Sequence, residues 1–244
     1  MDSLYITDFN KFLSHTDEKS VLFEAIAREI KLFKVNSLLD IGAGNGLLAI
    51  PLSKKVKKYT AIEPKSKHAD LLRQANLEVI KHSFPTDRVS RTYDGILASH
   101  VISYEDDNYK SFILSAWKYL KPGGIFMLIT HKGEENEWTE LLNDAGLGNS
   151  IYSNESFEDM KSLLQSLGEF ELKKIVSCVK TDNTKDMIEA LSFVASDGVP
   201  ERKKAFMSRR SILEKILKAK YRQTDTYFFP FNHFLLITQK LRLS

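Results

Sequence analysis

An apolar run that stops on three alternating glycines, Leu38-Leu39-Asp40-Ile41-Gly42-Ala43-Gly44-Asn45-Gly46, constrains the fold of this chain more than any other feature. A loop that passes close beneath a ligand needs residues with no side chain in the way, and glycine also enters the left-handed turns such a loop requires. The apolar run before the loop and the amphipathic run after it place the glycines at a strand-to-helix junction. A dinucleotide-binding loop is the alternative owner, with the fingerprint G-x-G-x-x-G. Here the third glycine follows the second by two residues, not three. Asp40, two residues before the first glycine, is a further difference. Its carboxylate is placed to anchor the loop or to meet the positive end of a bound amino acid.

From residue 37 to 131 short apolar runs alternate with amphipathic ones, the pattern of a parallel sheet wrapped by helices. Strands are expected at 37–41, 58–62, 78–81, 93–98 and 125–130, with helices near 47–54, 65–74 and 108–120. Lys121-Pro122-Gly123-Gly124 should stop the last helix, because proline cannot continue it and glycine permits a sharp turn. Before this core, 9–33 reads as one or two helices, with Phe12, Leu22, Ile26 and Ile30 at helical spacing. After it, helices are expected at 138–145, 156–167, 185–195 and 201–220, and a strand at 170–178. Residues 226–239 are rich in aromatic and branched side chains, as a long strand should be. Pro230 interrupts them and predicts an edge position or a bulge.

The second chemical feature is Ala61-Ile62-Glu63-Pro64 at the end of the next strand, with Glu63 21 residues beyond Gly42. An acid there accepts hydrogen bonds from both ribose hydroxyls of a nucleoside. In series, the glycine loop, Glu63, Tyr93-Asp94-Gly95-Ile96-Leu97-Ala98-Ser99-His100 and Leu120-Lys121-Pro122-Gly123-Gly124 resemble the class I methyltransferases over roughly residues 37–131. The resemblance implies S-adenosylmethionine as cofactor, S-adenosylhomocysteine as product, and an α/β fold. That fold is a Rossmann-like seven-stranded sheet, mostly parallel, with an antiparallel last strand and helical cap insertions. The whole chain is then one domain: cap helices at 1–36, a cofactor core at 37–146, cap insertions with one strand at 147–225, and the terminal strand at 226–244.

More faintly, nearly the whole chain resembles the histamine N-methyltransferase family. Phe9-Asn10-Lys11-Phe12-Leu13-Ser14-His15-Thr16-Asp17-Glu18 looks like that family's first helix, which carries an acid shared by the cofactor and substrate pockets. His100 falls where the family has a substrate-contacting Gln, Tyr104 matches a nearby tyrosine, and Trp138 a pocket tryptophan. Asn232-His233-Phe234-Leu235 is similar to its last strand, with the asparagine offset. The expected cofactor set is Glu18, Asp40, Gly42, Ala43, Gly44, Glu63, Pro64, His68, Ser83, Thr86, Ser99 and His100, the two loop residues Ser83 and Thr86 being adenine contacts. Phe9, Glu18, His100, Tyr104, Trp138, Tyr152 and Asn232 form the expected acceptor set, with the rings as an aromatic wall. His100, at a strand end, is the expected general base, since an imidazole titrates near neutrality.

The expected reaction is methyl transfer to a nitrogen or oxygen of a small molecule, first an amine or imidazole, alternatively a carboxylate or phenol. No metal is expected. The single cysteine, Cys178, excludes a disulfide within the chain and a cysteine-rich metal site, and points to a reducing, cytoplasmic compartment. No stretch approaches the roughly 18 apolar residues of a membrane span. A formal net charge of +3 does not by itself imply nucleic acid. The basic run Arg202, Lys203, Lys204, Arg209, Arg210, Lys215, Lys218, Lys220, Arg222 alternates with Phe206, Ile212, Leu213, Ile216 and Leu217, as in an amphipathic cap helix with a solvated face. An RNA methyltransferase is therefore the lesser alternative; Ala98-Ser99-His100-Val101 also lacks the Asn/Asp-Pro-Pro-aromatic sequence of base amino methylation. A nicotinamide reductase is disfavoured by the glycine spacing and the absence of Tyr-x-x-x-Lys. The oligomeric state is open, and a monomer would suffice.

Overall fold

The computed structural model describes residues 2–102, 108–148, 154–196 and 199–242; Tyr104 and Tyr152 lie outside them. The chain divides into two compact units, one of Leu22–Lys132, Tyr152–Ile175 and His233–Ser244, the other of Met1–Val21, Gly133–Ile151 and Val176–Asn232. The fold is a Rossmann-like, mostly parallel sheet that has, among the described residues, eight strands in the order β3-β2-β1-β4-β5-β8-β6 with β7 paired to β8.

In the first unit β1 (Ser37–Ile41), β2 (Lys58–Ile62), β3 (Glu78–Ile80), β4 (Tyr93–Ser99) and β5 (Leu120–Thr130) run parallel. The last part of β8 (Thr226–Gln239) joins β5 antiparallel, with Ile125 opposite Gln239 and Thr130 opposite Phe234. Both sheet faces are covered, so successive strand residues alternate between two cores rather than between core and water. Leu39, Ile96, Phe126, Leu128, Phe234 and Leu236 pack on one face with α5 (Tyr109–Lys118) and α7 (Asn154–Leu167). Leu38, Leu97, Ile125, Met127, Leu235 and Ile237 pack on the other. That face meets Leu22, Ile26 and Ile30 of α2 (Glu18–Leu32), Ala49 and Leu52 of α3 (Ala49–Ser53), and Leu72 of α4 (Ser66–Gln74).

The amino ends of β1 and β4 are clamped by a side chain that the sequence does not single out. Asp94 accepts bonds from the Ser37 backbone N–H and hydroxyl, each at 2.8 Å, and from Lys121 Nζ at 2.8 Å. Burial alone would raise its carboxyl; the bonds from Lys121 and Ser37 outweigh that and hold it below the ordinary carboxylate range. A folded-state value below the unfolded one contributes stability above the unfolded pKa of about 3.9, and loses it as pH falls through the folded value. Asp94→Asn is therefore expected to cost about 1–2 kcal/mol at neutral pH, mostly from the Ser37 bonds because Lys121 is partly solvated. Urea unfolding should show that gap closing in acid; a gap that persists unchanged there would remove the charge from the account.

The second unit gathers α1 (Asp2–His15), α6 (Glu137–Asp144), α8 (Thr184–Ser196), α9 (Pro200–Ser208) and α10 (Arg210–Lys220). It also holds β7 (Arg222–Gln223), the end of β6 (Glu169–Thr181) and the start of β8. Its core is aromatic: Trp138 lies against Phe206, Phe229 and Phe231, and Phe12 against Phe193 and Phe231. Several cations of the basic run are paired, Lys203 with Asp8, Arg210 with Glu214 and Lys220 with Asp144.

Four expectations need correction. The sheet has eight strands, not seven, because Arg222–Gln223 folds back on Tyr227 and Thr226 as a two-residue strand. The helix expected over 201–220 is two, parted at Arg209, where neither glycine nor proline stands as a signal; the break shows only in Arg209 turning its N–H to Phe206. The helix expected to reach 120 ends at Lys118, and Leu120 already pairs with Tyr93, so Lys121-Pro122-Gly123-Gly124 begins a strand with a bulge. Finally, β8 is interior to the sheet. Pro230 is tolerated on the β5 side because the β5 ladder starts only at Phe234, so no bond there requires its missing N–H. Among the described residues no helix is long and apolar enough to cross a membrane.

Candidate active site

The order β3-β2-β1-β4 reverses direction at β1, and in an open α/β sheet the crevice at the carboxyl ends of the strands flanking such a switch is the binding edge. Four parallel strands deliver residues there in turn: β1 the glycine loop, β2 Glu63, β4 His100 and β5 His131. The loop is tied to its neighbour by backbone bonds from Gly42 and Ala43 N–H to the Ile62 carbonyl, at 2.8 and 3.2 Å. Gly42 has φ +79°, and a Cβ built on it would lie 2.2 Å from Val101 Cγ1. Gly44, at φ +58°, has nothing within 4 Å of a built Cβ, so the middle of the loop faces open space.

Glu63 is 4% exposed and spans the mouth of the loop. One carboxylate oxygen accepts the Gly44 N–H at 2.8 Å, the other the Lys65 N–H at 2.9 Å, and His68 Nδ1 lies 3.8 Å from it. A carboxylate offers about four acceptor positions, so both oxygens keep a lone pair. Asp40 is buried and accepts the Tyr59 hydroxyl at 2.5 Å. Burial, then the charge and hydrogen bond of Asp40, push the Tyr59 phenol well above its ordinary value, so it stays a neutral donor. This pairing ties β1 to β2 beneath the loop and supports the anchoring role of Asp40.

At the end of β4 the Ser99 hydroxyl is buried with no hydrogen-bond partner among the described residues. His100 follows with φ +53°, its N–H bonded to the Ile129 carbonyl at 2.9 Å. Its Nε2 lies 3.1 Å from Nδ1 of His233, and its ring stacks on His131 at 4.5 Å between centroids. Strand register brings them near one another: Ser99 pairs with Ile129 and Thr130 with Phe234, so one step further sets 131 opposite 233 and 100 beside 130, next to 131. Nothing in the sequence reading pairs His131 and His233 with His100. Their positions just past β5 and opposite its end in β8 were the available signal.

The other expected residues are placed as follows. Pro64 and Ser83 are exposed, and the Ser83 carbonyl lies 2.8 Å from His82 Nδ1. Thr86 is 8% exposed; its hydroxyl accepts the Arg88 N–H and its carbonyl the Tyr119 hydroxyl, so it braces its own loop. In the second unit, Glu18 opens α2 and pairs with Lys19 Nζ at 2.6 Å. Phe9 is half-buried, 5.2 Å from the Phe193 ring. The Asn232 amide, 3% exposed, donates to the Glu135 carbonyl. Trp138 is 1% exposed, so it does not form part of an open aromatic wall: its ring is spent on the aromatic core. A separate surface cleft bounded by Glu24, Arg28, Lys31, Lys34 and Lys55 lies by Val35 and Asn36, at the amino end of β1, away from the loop.

Residues 13–175 match the family described as Methyltransferase domain. The chain belongs to that methyltransferase family. The ubiquinone biosynthesis O-methyltransferase of Paramagnetospirillum magneticum is 31% identical over 115 residues, 43% of this chain and 45% of that enzyme. The enzyme of the same name from Methylobacterium nodulans is 29% identical over 104 residues, 38% of this chain and 40% of that one. The chain thus matches less than half the length of these curated relatives. Among solved structures, the plantazolicin methyltransferase BpumL in complex with SAH has a TM-score of 0.57 at 12% identity, covering 98% of this chain and 91% of that one. The YcgJ protein from Bacillus subtilis has a TM-score of 0.56 at 16% identity, covering 85% and 93%. At these identities the structural likenesses establish the fold.

The expectation that Glu63 holds the cofactor ribose is testable: on that expectation Glu63→Ala weakens cofactor binding by about 10- to 100-fold for each ribose bond lost. Titration calorimetry measures this, and equal affinity in variant and parent would sink the assignment.

Proposed function

We propose that this chain transfers the methyl group of S-adenosylmethionine to an oxygen of a small molecule, releasing S-adenosylhomocysteine. The observation that carries the reading is the loop-and-acid pair, Gly44 N–H on Glu63 at 2.8 Å with open space before Gly44. These residues fit the cofactor: Glu63 has lone pairs left for two ribose hydroxyls, the open face of Gly44 admits close approach, and Ser99 holds a buried hydroxyl in want of a partner. Asp40, with Tyr59, fixes the loop from below.

What the cofactor supplies is an electrophilic methyl group: the carbon–sulfur pair stays on sulfur as a neutral thioether while a carbon–oxygen bond forms. The protein's part is to position the acceptor, exclude water and remove the hydroxyl proton. His100 is the candidate base. An ordinary imidazole accepts a proton near neutrality, where a phenol, of pKa about 10, does not ionise alone.

Oxygen is favoured over the amine or imidazole first expected on two grounds. The curated relatives are named O-methyltransferases. The acid expected to bind a substrate ammonium, Glu18, is already paired with Lys19. Pairing within the basic run likewise favours a small molecule over RNA. The test is calorimetry with adenosylmethionine, followed by a screen of phenols, carboxylates, amines and imidazoles for S-adenosylhomocysteine release. Turnover of hydroxyl acceptors is expected. Turnover of amines alone would overturn the choice of oxygen, and failure to bind adenosylmethionine the whole reading.

A further inference from the structure

Three of the six histidines of this chain meet at one sheet edge, although they are far apart in sequence. Their ring centroids lie 4.5 Å (His100 and His131), 4.8 Å (His131 and His233) and 5.1 Å (His100 and His233) apart. One nitrogen of each falls within 4.8 Å of the others. His233 is fully buried, while His131 is partly open. His100 and His131 directly follow the ends of β4 and β5 and His233 lies within β8, all in one compact unit whose strand register sets their spacing. His100 is held in the left-handed region, at φ +53°, a conformation that costs a non-glycine residue about 1 kcal/mol or more.

We propose that His100, His131 and His233 bind one divalent transition-metal ion of the zinc class, leaving one coordination position open. Two imidazoles on a tetrahedral zinc, each with a bond of about 2.0–2.1 Å, place their nitrogens about 3.3 Å apart. Nε2 of His100 and Nδ1 of His233 are 3.1 Å apart, so this pair already has the span of two ligands on one ion. The widest pair, within 4.8 Å, must close by up to about 1.5 Å to meet tetrahedral spacing, a movement the less buried ring can make by side-chain rotation. Neutral nitrogen donors select zinc, cobalt(II) or nickel(II) over magnesium or calcium, which prefer oxygen. Three histidines with a fourth position for water or substrate are the ligand set of catalytic rather than structural zinc.

The open position takes water or the oxygen of an acceptor. For that last role the inference rests on the methyl-transfer reading, and it departs from the metal-free site expected from the sequence. With the ion bound, the imidazoles would act as ligands and the ion would acidify the acceptor hydroxyl in place of the His100 ring, so loss of His100 lowers turnover on either account.

The test uses the full chain, stripped with a chelator and desalted, then titrated with cobalt(II) alone while its visible d–d absorption is followed. One equivalent should give a saturable absorption that zinc(II) displaces. His131→Ala should weaken cobalt affinity by at least about 10- to 100-fold, since even partners of metal ligands contribute that much. Because His131 is partly open, an unchanged Tm in that variant shows that the fold survives; His233→Gln is the second variant. No saturable absorption in the parent, or full affinity retained in a folded His131→Ala, would overturn the proposal. Cobalt uptake requires neither cofactor nor acceptor. Its failure therefore removes the ion and leaves methyl transfer standing, whereas failure to bind adenosylmethionine removes methyl transfer and leaves the ion.

Discussion

Gly42→Ala is expected to lower the unfolding free energy by about 2–5 kcal/mol and to abolish cofactor binding, from overpacking and a disfavoured backbone acting together. The new methyl would lie 2.2 Å from Val101 Cγ1, too close for any carbon pair. The positive φ of 79° adds about 1–2 kcal/mol for an L-residue. Relief would require moving the loop, which is held by the Ile62 carbonyl, or moving Val101, which directly follows His100. Gly44→Ala is the control: the same backbone penalty applies at φ +58°, but open space surrounds the methyl. It should cost only about 1–2 kcal/mol. Adding Val101→Ala to Gly42→Ala should recover the steric part. Urea denaturation reads the first quantity and calorimetry the second. Equal losses at positions 42 and 44 would show that Val101 does not close over the loop.

His100→Ala is expected to lower kcat by about 10²- to 10⁴-fold, the range a positioned acid or base supplies, while adenosylmethionine affinity is retained. The separation follows from placement. His100 extends β4, whereas the loop and Glu63 extend β1 and β2 and make their bonds to each other without it. Because position 100 is left-handed, alanine carries its own strain, so His100→Asn is the companion variant. Asparagine tolerates that backbone and lacks the imidazole. S-adenosylhomocysteine release at saturating cofactor gives kcat, and calorimetry gives affinity. Full turnover in both variants would take proton removal away from this residue. Loss of cofactor affinity in both would place His100 in the cofactor site instead.

Much of the core was legible because its signals are local. Alternate apolar residues in 37–41 and 93–98 face two covered sides of a sheet, and glycines at 42, 44 and 46 announce positive φ, which all three have. Glu63 could be found by counting, because a strand end reached through one helix and one strand falls at a set distance along the chain. The end of α9 was not legible, since Arg209 breaks the helix without a breaking residue. Nor was the early start of β5, where Pro122 and the glycines suggest a turn and the pairing of Leu120 with Tyr93 prevails.

The candidate acceptor residues were the least legible, and for the same reason. Trp138 has the chemistry of a pocket wall, yet Phe206, Phe229 and Phe231, 68 or more residues away, enclose it. Asp94 reads as part of a strand until Ser37 and Lys121 are seen to converge on it. By itself the sequence determined the strand–loop–helix junction, the acid at the end of the second strand and the antiparallel final strand, because backbone preference and apolar period act within a few residues. Only the tertiary structure decided that Val101 covers Gly42 and that His131 and His233 join His100. Those contacts depend on the register between strands distant in the chain, which no local preference encodes.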